Sequence, residues 1–113
     1  MNPGEAAESL AARFLAAQGL AIVGRNYRCR GGEIDIIARD GRTRVFVEVR
    51  LRRNRAFGGA AESITATKRR RLRLAAEHYL ARLPADPPCR SDAVPLDELA
   101  NERIEWLRSI DLD

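Results

Sequence analysis

Two apolar, β-branched stretches joined across Asp40-Gly41, residues 33–39 and 43–50, constrain this chain more than any other feature. Asp-Gly between such runs is a strong short hairpin signal. The second run, TRVFVEVR, is rich in residues that suit a packed, pleated surface. Both runs are apolar on both faces, so they read as central strands of a sheet. Each nevertheless carries an acid: Asp35 lies between Ile34 and Ile36, and Glu48 between Val47 and Val49. Taking an ionised carboxylate out of water costs several kcal/mol unless something compensates it.

The hairpin limits where these acids can point. With a two-residue loop at Asp40-Gly41, Arg39 pairs with Arg42 and Asp35 opposes Phe46. With a four-residue loop, residues 40–43, Asp35 opposes Glu48. In both registers the two carboxylates, and Arg50 beyond them, share one face of the sheet. A three-residue loop without a bulge would separate them. Two acids on one face amid basic residues make an oxygen-ligand site suited to Mg²⁺ or Mn²⁺. Such an ion can activate a water and offset charge on a phosphodiester. The alternative is that both acids pair with arginines in structural salt bridges. Glu33, on the face of Asp35, is either a third ligand or a solvated acid at a strand start.

The rest of the chain supplies layers for this hairpin. Asn2, Pro3 and Glu5 form a helix start, and Ala7, Leu10, Ala11, Phe14 and Leu15 recur at helical spacing up to a stop at Gly19. A first strand is expected over residues 20–28. A second helix is expected from about residue 65 to 83, with Leu72, Ala75, Ala76, Tyr79 and Leu80 as its buried stripe, closed by PADPP. Further strands are expected near residues 89–96 and 103–107. Strand, helix, strand from 43 to 96 predicts a parallel crossover. The sum is an α/β domain, a mixed five-stranded sheet flanked by helices, with residues 1–113 forming one domain.

Charge is distributed unevenly. Residues 25–73 hold 15 Lys+Arg against 5 Asp+Glu, whereas the chain as a whole carries only +4. That density attracts polyanions. Arg52, Arg53 and Arg55 in the loop after the third strand, with Arg69 and Arg70 at the start of the second helix, are the expected DNA contacts. Arginine suits bidentate phosphate binding. Phe57-Gly58-Gly59 is either a loop tip touching DNA or a packing contact. Aromatic residues are 5% of the chain, which disfavours a single-strand stacking mode. Cys29 and Cys89 lie in no CxxC pair and read as free thiols, and His78 reads as a polar residue on the second helix. No apolar run approaches the ~18 residues of a membrane span, and the N-terminus has no signal-peptide core, so a cytoplasmic protein without membrane partners is expected.

The strings GGEIDIIARDGRTRVFVEVRLRR and FGGAAESITATKRRRL, within a helix–strand–strand–strand order, resemble the YraN-like family of bacterial proteins. That family looks related to archaeal Holliday junction resolvases of the PD-(D/E)XK nuclease superfamily. The resemblance spans nearly the whole chain. It implies a restriction-endonuclease-like core and, by kinship, a metal-dependent endonuclease acting on DNA, including branched or junction DNA, in repair or recombination. Asp35 matches the superfamily's metal-binding Asp, and Glu48 the acid of its (D/E)xK element. Glu8 sits where related resolvases carry a helical acid that contacts the metal site. Junction resolution would fit a homodimer, since two symmetric nicks need two sites.

The sequence departs from the superfamily pattern at one position. Lysine is expected two residues after Glu48, and Arg50 stands there. Arginine keeps the charge but does not release a proton near neutral pH, and its planar fork has a different reach. Three accounts follow. Arg50 supplies the electrostatic part of the role; the site binds without cutting, as a nucleic-acid-binding module or adaptor; or the role has moved to Lys68. Lys68 is the sole lysine, and it falls on the apolar face of the second helix.

Overall fold

The computed structural model describes residues 2–52, 64–97 and 104–112, without the side chain of Arg52. Helix α1 (Pro3–Ala17) starts as the sequence predicts. Asn2 Oδ1 accepts the Glu5 N–H at 2.8 Å and its amide donates to Glu5 Oε1 at 3.2 Å. Proline fills a first-turn position, where its missing N–H costs nothing. Strands β1 (Ala21–Cys29), β2 (Gly32–Asp40) and β3 (Thr43–Arg52) form an antiparallel meander. Helix α2 (Ala66–Leu80), capped by Thr65, then leads to β4 (Cys89–Asp97), which pairs in parallel with β3. The order β1-β2-β3-β4 puts the two acid-bearing strands at the centre, and the β3–α2–β4 crossover is parallel as expected.

Two elements differ from the sequence reading. Helix α2 ends at Leu80 rather than 83: the N–H groups of Arg82 and Leu83 reach back only three residues, to Tyr79 and Leu80, tightening the chain out of α geometry. The expected fifth strand is not formed among the described residues, which hold four strands. The backbone of residues 104–107 pairs with β4 through isolated antiparallel bridges, Leu96 with Ile104 and Ala93 with Leu107. Ala93 and Leu107 exchange both backbone bonds, and Glu105 donates to the Pro95 carbonyl. Pro95 has no N–H to return that bond, so the ladder is broken at its middle.

The sheet is covered on both faces. On the α1 face, Ala11 and Leu15 pack with Leu20, Ile36, Ala38, Val45, Val47 and Val94. On the α2 face, Leu72, Ala75 and Ala76 pack with Ile34, Ile37 and Phe46. Ile34 and Ile36, two apart on one strand, thus face opposite ways. The strand turns over at Asp35. Across from it in β1, Asn26 has φ 55°, and the pairing that the register would make there is absent from the ladder. At this distortion the Asp35 carboxylate reaches the backbone of β3, accepting the Val49 N–H.

Gly32 fixes how closely α2 approaches. A Cβ at this position would stand 2.5 Å from the Arg71 carbonyl oxygen and 2.8 Å from the Ala75 nitrogen, both backbone atoms that cannot rotate away. Gly32→Ala is therefore expected to push α2 off β2 and to cost about 2–3 kcal/mol of stability. A urea unfolding midpoint equal to wild type would show that the helix does not sit this close.

Candidate active site

The observed hairpin closes with Asp40 opposite Thr43 and Arg39 opposite Arg44, so the loop is Gly41-Arg42. This is the register of the four-residue alternative, closed by one further pair, and it directs Asp35 toward Glu48. The β2–β3 ladder stops at Ile36 and Val47. One step beyond, the Val49 N–H donates to Asp35 Oδ2 at 2.8 Å instead of to a backbone carbonyl. The carboxylate of Asp35 is held by a β3 amide, beside Glu48 on the same strand. Glu48 is buried, 6% exposed, and Lys68 of α2 donates to its Oε1 at 3.4 Å. Lys68 does point at the sheet, as its place on the apolar face of the helix predicts.

The electrostatics of this pair are unfavourable in the absence of a cation. Burial, the Glu48 charge, and the more distant charges of Glu8 and Glu33 push the Asp35 carboxyl up to about 8, against a smaller lowering by the Val49 amide. Burial also raises Glu48, while the Lys68 charge and hydrogen bonds from Lys68 and Asp35 work against it. Two carboxyls this close share a proton near neutral pH rather than ionising together.

A second buried acid in the same sheet shows what full compensation looks like. Asp92 of β4 is wholly inaccessible. Its oxygens accept from Arg90 Nε at 3.1 and 3.2 Å, from Trp106 Nε1 at 2.9 Å and from the Ser109 N–H at 2.9 Å. Arg90 also pairs with Asp40 at 3.0 Å, so the cluster ties the hairpin turn, β4 and the C-terminal segment together. Sequence reasoning missed Asp92. Its signals were an acid directly before the apolar run 93–96 of β4 and, nearby, an indole that needs an acceptor. Asp35 and Glu48 have no such set of donors, and among the described residues no arginine pairs with either. Among the described residues the ion pair that Glu48 makes is with Lys68 rather than with an arginine.

The other predicted site residues are placed as follows. The Glu8 side chain of α1 is mostly buried, and its Oε1 forms a 3.6 Å ion pair with Arg25, too long for a hydrogen bond. It is near enough to Asp35 to raise it. Glu33 lies 3.7 Å from Arg28 and 3.9 Å from Arg71 and lines a small pocket with Glu48, Lys68 and Arg71. Alternation puts Arg50 on the face of Glu48, but its Nε is buried without a hydrogen bond. Arg69 donates Nε to the Ile64 carbonyl at 2.9 Å and Nη1 to the Asp111 carbonyl, binding α2 to the C-terminal segment. Arg70 is exposed on α2. Arg53, Arg55, Phe57-Gly58-Gly59 and the side chain of Arg52 lie outside the described residues. His78 accepts or donates a 2.6 Å hydrogen bond with the Tyr27 hydroxyl at the far end of α2, away from the acids.

Among the described residues no three His, Cys, Asp or Glu side chains form a ready metal cage. Mg²⁺ needs less, since it commonly takes one or two carboxylates and keeps its waters. The fit of the site to a hard divalent cation rests on its donors: two adjacent carboxyls, one buried and one half-buried, whose ionisation together is disfavoured, with Glu8 close enough to add its charge. No helix of the described chain is long and apolar enough to cross a membrane.

Comparison with known proteins follows the same residues. Residues 7–96 match the model of the uncharacterised protein family UPF0102. A UPF0102 protein of Nitrosospira multiformis is 55% identical over 106 residues, covering 94% of this chain and 89% of its own length. One from Methylobacillus flagellatus is 52% identical over 105 residues, covering 93% and 92%. One from Cupriavidus metallidurans is 58% identical over 107 residues, covering 94% and 78%.

Proposed function

Because the chain belongs to the UPF0102, or YraN-like, family of uncharacterised proteins, its activity must be argued from the site, and we propose that it is a metal-dependent DNA endonuclease. The observation that carries this reading is the contrast between acids in one sheet. Asp92 is buried with four hydrogen bonds, whereas Glu48 is buried and Asp35 half-buried beside it, with one amide and one ammonium between them. A fold retains such a pair at a cost of several kcal/mol when a cation offsets it. In this reading Asp35 and Glu48 hold Mg²⁺ or Mn²⁺, and Glu8 assists from α1. The ion, when bound, supplies charge for the phosphodiester and an acidified water.

The chain's own residues do the rest. The Val49 amide fixes the Asp35 carboxylate. Lys68, held by Glu48, presents an ammonium beside the acids and takes over the role of the lysine expected two residues after Glu48. Arg50 supplies charge from β3. The basic residues of the loop after β3 and of the exposed face of α2, Arg70 among them, position the duplex through its phosphates, which carry no sequence information. Branched or junction DNA is the substrate we propose, in a cytoplasmic setting and with two copies acting together where two strands are cut. The restriction-endonuclease-like topology is part of the same proposal. Arg50 in the lysine position favours one second reading, a DNA-binding module that does not cut.

The test is cleavage of a labelled four-way junction, a flap and a linear duplex with Mg²⁺, Mn²⁺ or EDTA. Wild type should cut at least one of them only with metal, and Asp35→Ala and Glu48→Ala should lose the activity while remaining folded. Tight binding without cutting would instead support the module. Neither binding nor cutting would sink both readings for the isolated chain.

A further inference from the structure

Glu33 is the acid of the site that is answered by arginines, and its arrangement differs from that of the pair it borders. Arg28 Nε and Arg71 Nη2 converge on one and the same oxygen, Glu33 Oε2, from the β1–β2 hairpin and from α2. The two guanidinium side chains are 73% and 49% exposed, so their remaining donors face solvent. The convergence is built into the fold. Gly31, at φ 82°, makes the turn that returns the chain beside Arg28, and Gly32 lets the Arg71 backbone press against β2 next to Glu33. At 3.7 and 3.9 Å the contacts are longer than a hydrogen bond, and exposed pairs of this kind contribute ~1 kcal/mol or less. Stability alone gives little reason for two arginines to meet here.

We propose that Arg28 and Arg71 form a seat for a backbone phosphate of the nucleic acid, and that Glu33 occupies this seat until the phosphate displaces it. A phosphate diester presents the same planar pair of acceptor oxygens to guanidinium groups as a carboxylate does, and arginine binds both in the same fork geometry. The seat opens on the pocket lined by Glu33, Glu48, Lys68 and Arg71, so a phosphate held there belongs to the strand whose neighbouring linkage meets Asp35 and Glu48. Glu33 is then a competitor for the arginines rather than a ligand of the cation. It keeps the arginines aligned in the free protein and repels polyanions that do not bring a phosphate to this point.

The inference rests on the DNA reading, and its test separates the two. Binding of a fluorescent duplex and a four-way junction is measured by anisotropy in EDTA over a salt series, and again with Mg²⁺ at one salt concentration, for wild type, Glu33→Gln, Arg28→Ala/Arg71→Ala and the triple variant. All three changes lie on exposed or half-exposed side chains, and circular dichroism checks the fold. Glu33→Gln should tighten binding about three- to tenfold. The double arginine variant should weaken binding and flatten the log-affinity against log-salt slope by about one to two. In the arginine-free background Glu33→Gln should change affinity by less than twofold. Equal tightening in both backgrounds would reduce Glu33 to a general repulsive charge and overturn the seat. Weaker binding by Glu33→Gln only when Mg²⁺ is present would make it a cation ligand and also overturn the seat. If wild type binds neither DNA, the DNA reading itself has failed and the seat falls with it.

Discussion

Asp35→Asn is expected to abolish metal-dependent cleavage while making the metal-free protein more stable than wild type at pH 8. The Asp35 carboxyl, ordinarily at 3.8, stands at about 8 in the folded protein, chiefly through burial and the Glu48 charge. Between those values the folded chain holds a proton that the unfolded chain has released. Stability of the wild type therefore falls as pH rises from about 4 to about 8, and is level above that. The raised Glu48 adds to the same slope. The loss amounts to a few kcal/mol, of the order that each pH unit of displacement implies after allowance for relaxation around the site. Asparagine has no proton to lose and keeps a carbonyl for the Val49 amide, so the variant escapes the slope. At pH 8 its melting temperature should exceed that of wild type by about 5–10 °C, and at pH 5 the two should nearly coincide. Adding Mg²⁺ at pH 8 should raise the wild type and leave the variant unmoved. A variant less stable than wild type at pH 8 would mean that the carboxylate serves the fold, and the metal reading would lose its main support.

The second large effect concerns the displaced lysine. Lys68→Met should lower the cleavage rate by about 10²–10⁴-fold, the range of a lost proton-transfer or charge-stabilising group. DNA affinity should change by less than threefold, since one ammonium among many basic groups contributes little to binding. Arg50→Lys alone should change little, because Lys68 already answers Glu48. In the Lys68→Met background the same change should recover at least tenfold of the lost rate, by restoring the lysine at its usual place on β3. Full activity in Lys68→Met would return the role to Arg50. A recovery by Arg50→Lys no larger in the variant than in wild type would show that the two positions do not share a function.

Much of this site could be read from the sequence, because the conflict that marks it is local. An acid flanked by isoleucines or valines on a two-faced apolar strand is visible without coordinates, and so is a lone lysine on a helix's apolar stripe. The start of α1 was equally legible, since Asn2, Pro3 and Glu5 act within four residues of one another. What depends on long-range geometry was not. Alternation brought Glu33, Asp35 and Glu48 to one face, and the three acids do lie close together, but it would also put Ile34 and Ile36 on one face, whereas they face opposite layers, and nothing within β2 announces that Asn26 across the ladder takes a left-handed conformation. Asp92 escaped notice because its partners come from three places, Arg90, Trp106 and Ser109. The fifth strand failed for a reason that was present in the sequence. Ile104 and Trp106 alternate with charged residues as a strand should, but its partner carries Pro95 where a donor is needed.

The irregularities of β1 bear on how the molecule behaves among its neighbours at high concentration. As one of the two outer strands among the described residues, β1 offers an edge of backbone groups to any extended chain that drifts alongside. Its ladder with β2 slips between Ile22 and Gly24, and Asn26 bends the backbone two residues further on. Arg25 and Arg28 add like charge along the same stretch. No foreign strand can stay in step with this edge for more than a few residues before meeting a kink or a cation. The distortion that turns Asp35 out of line thereby also spoils β1 as a template for fibrous or sheet-to-sheet aggregation.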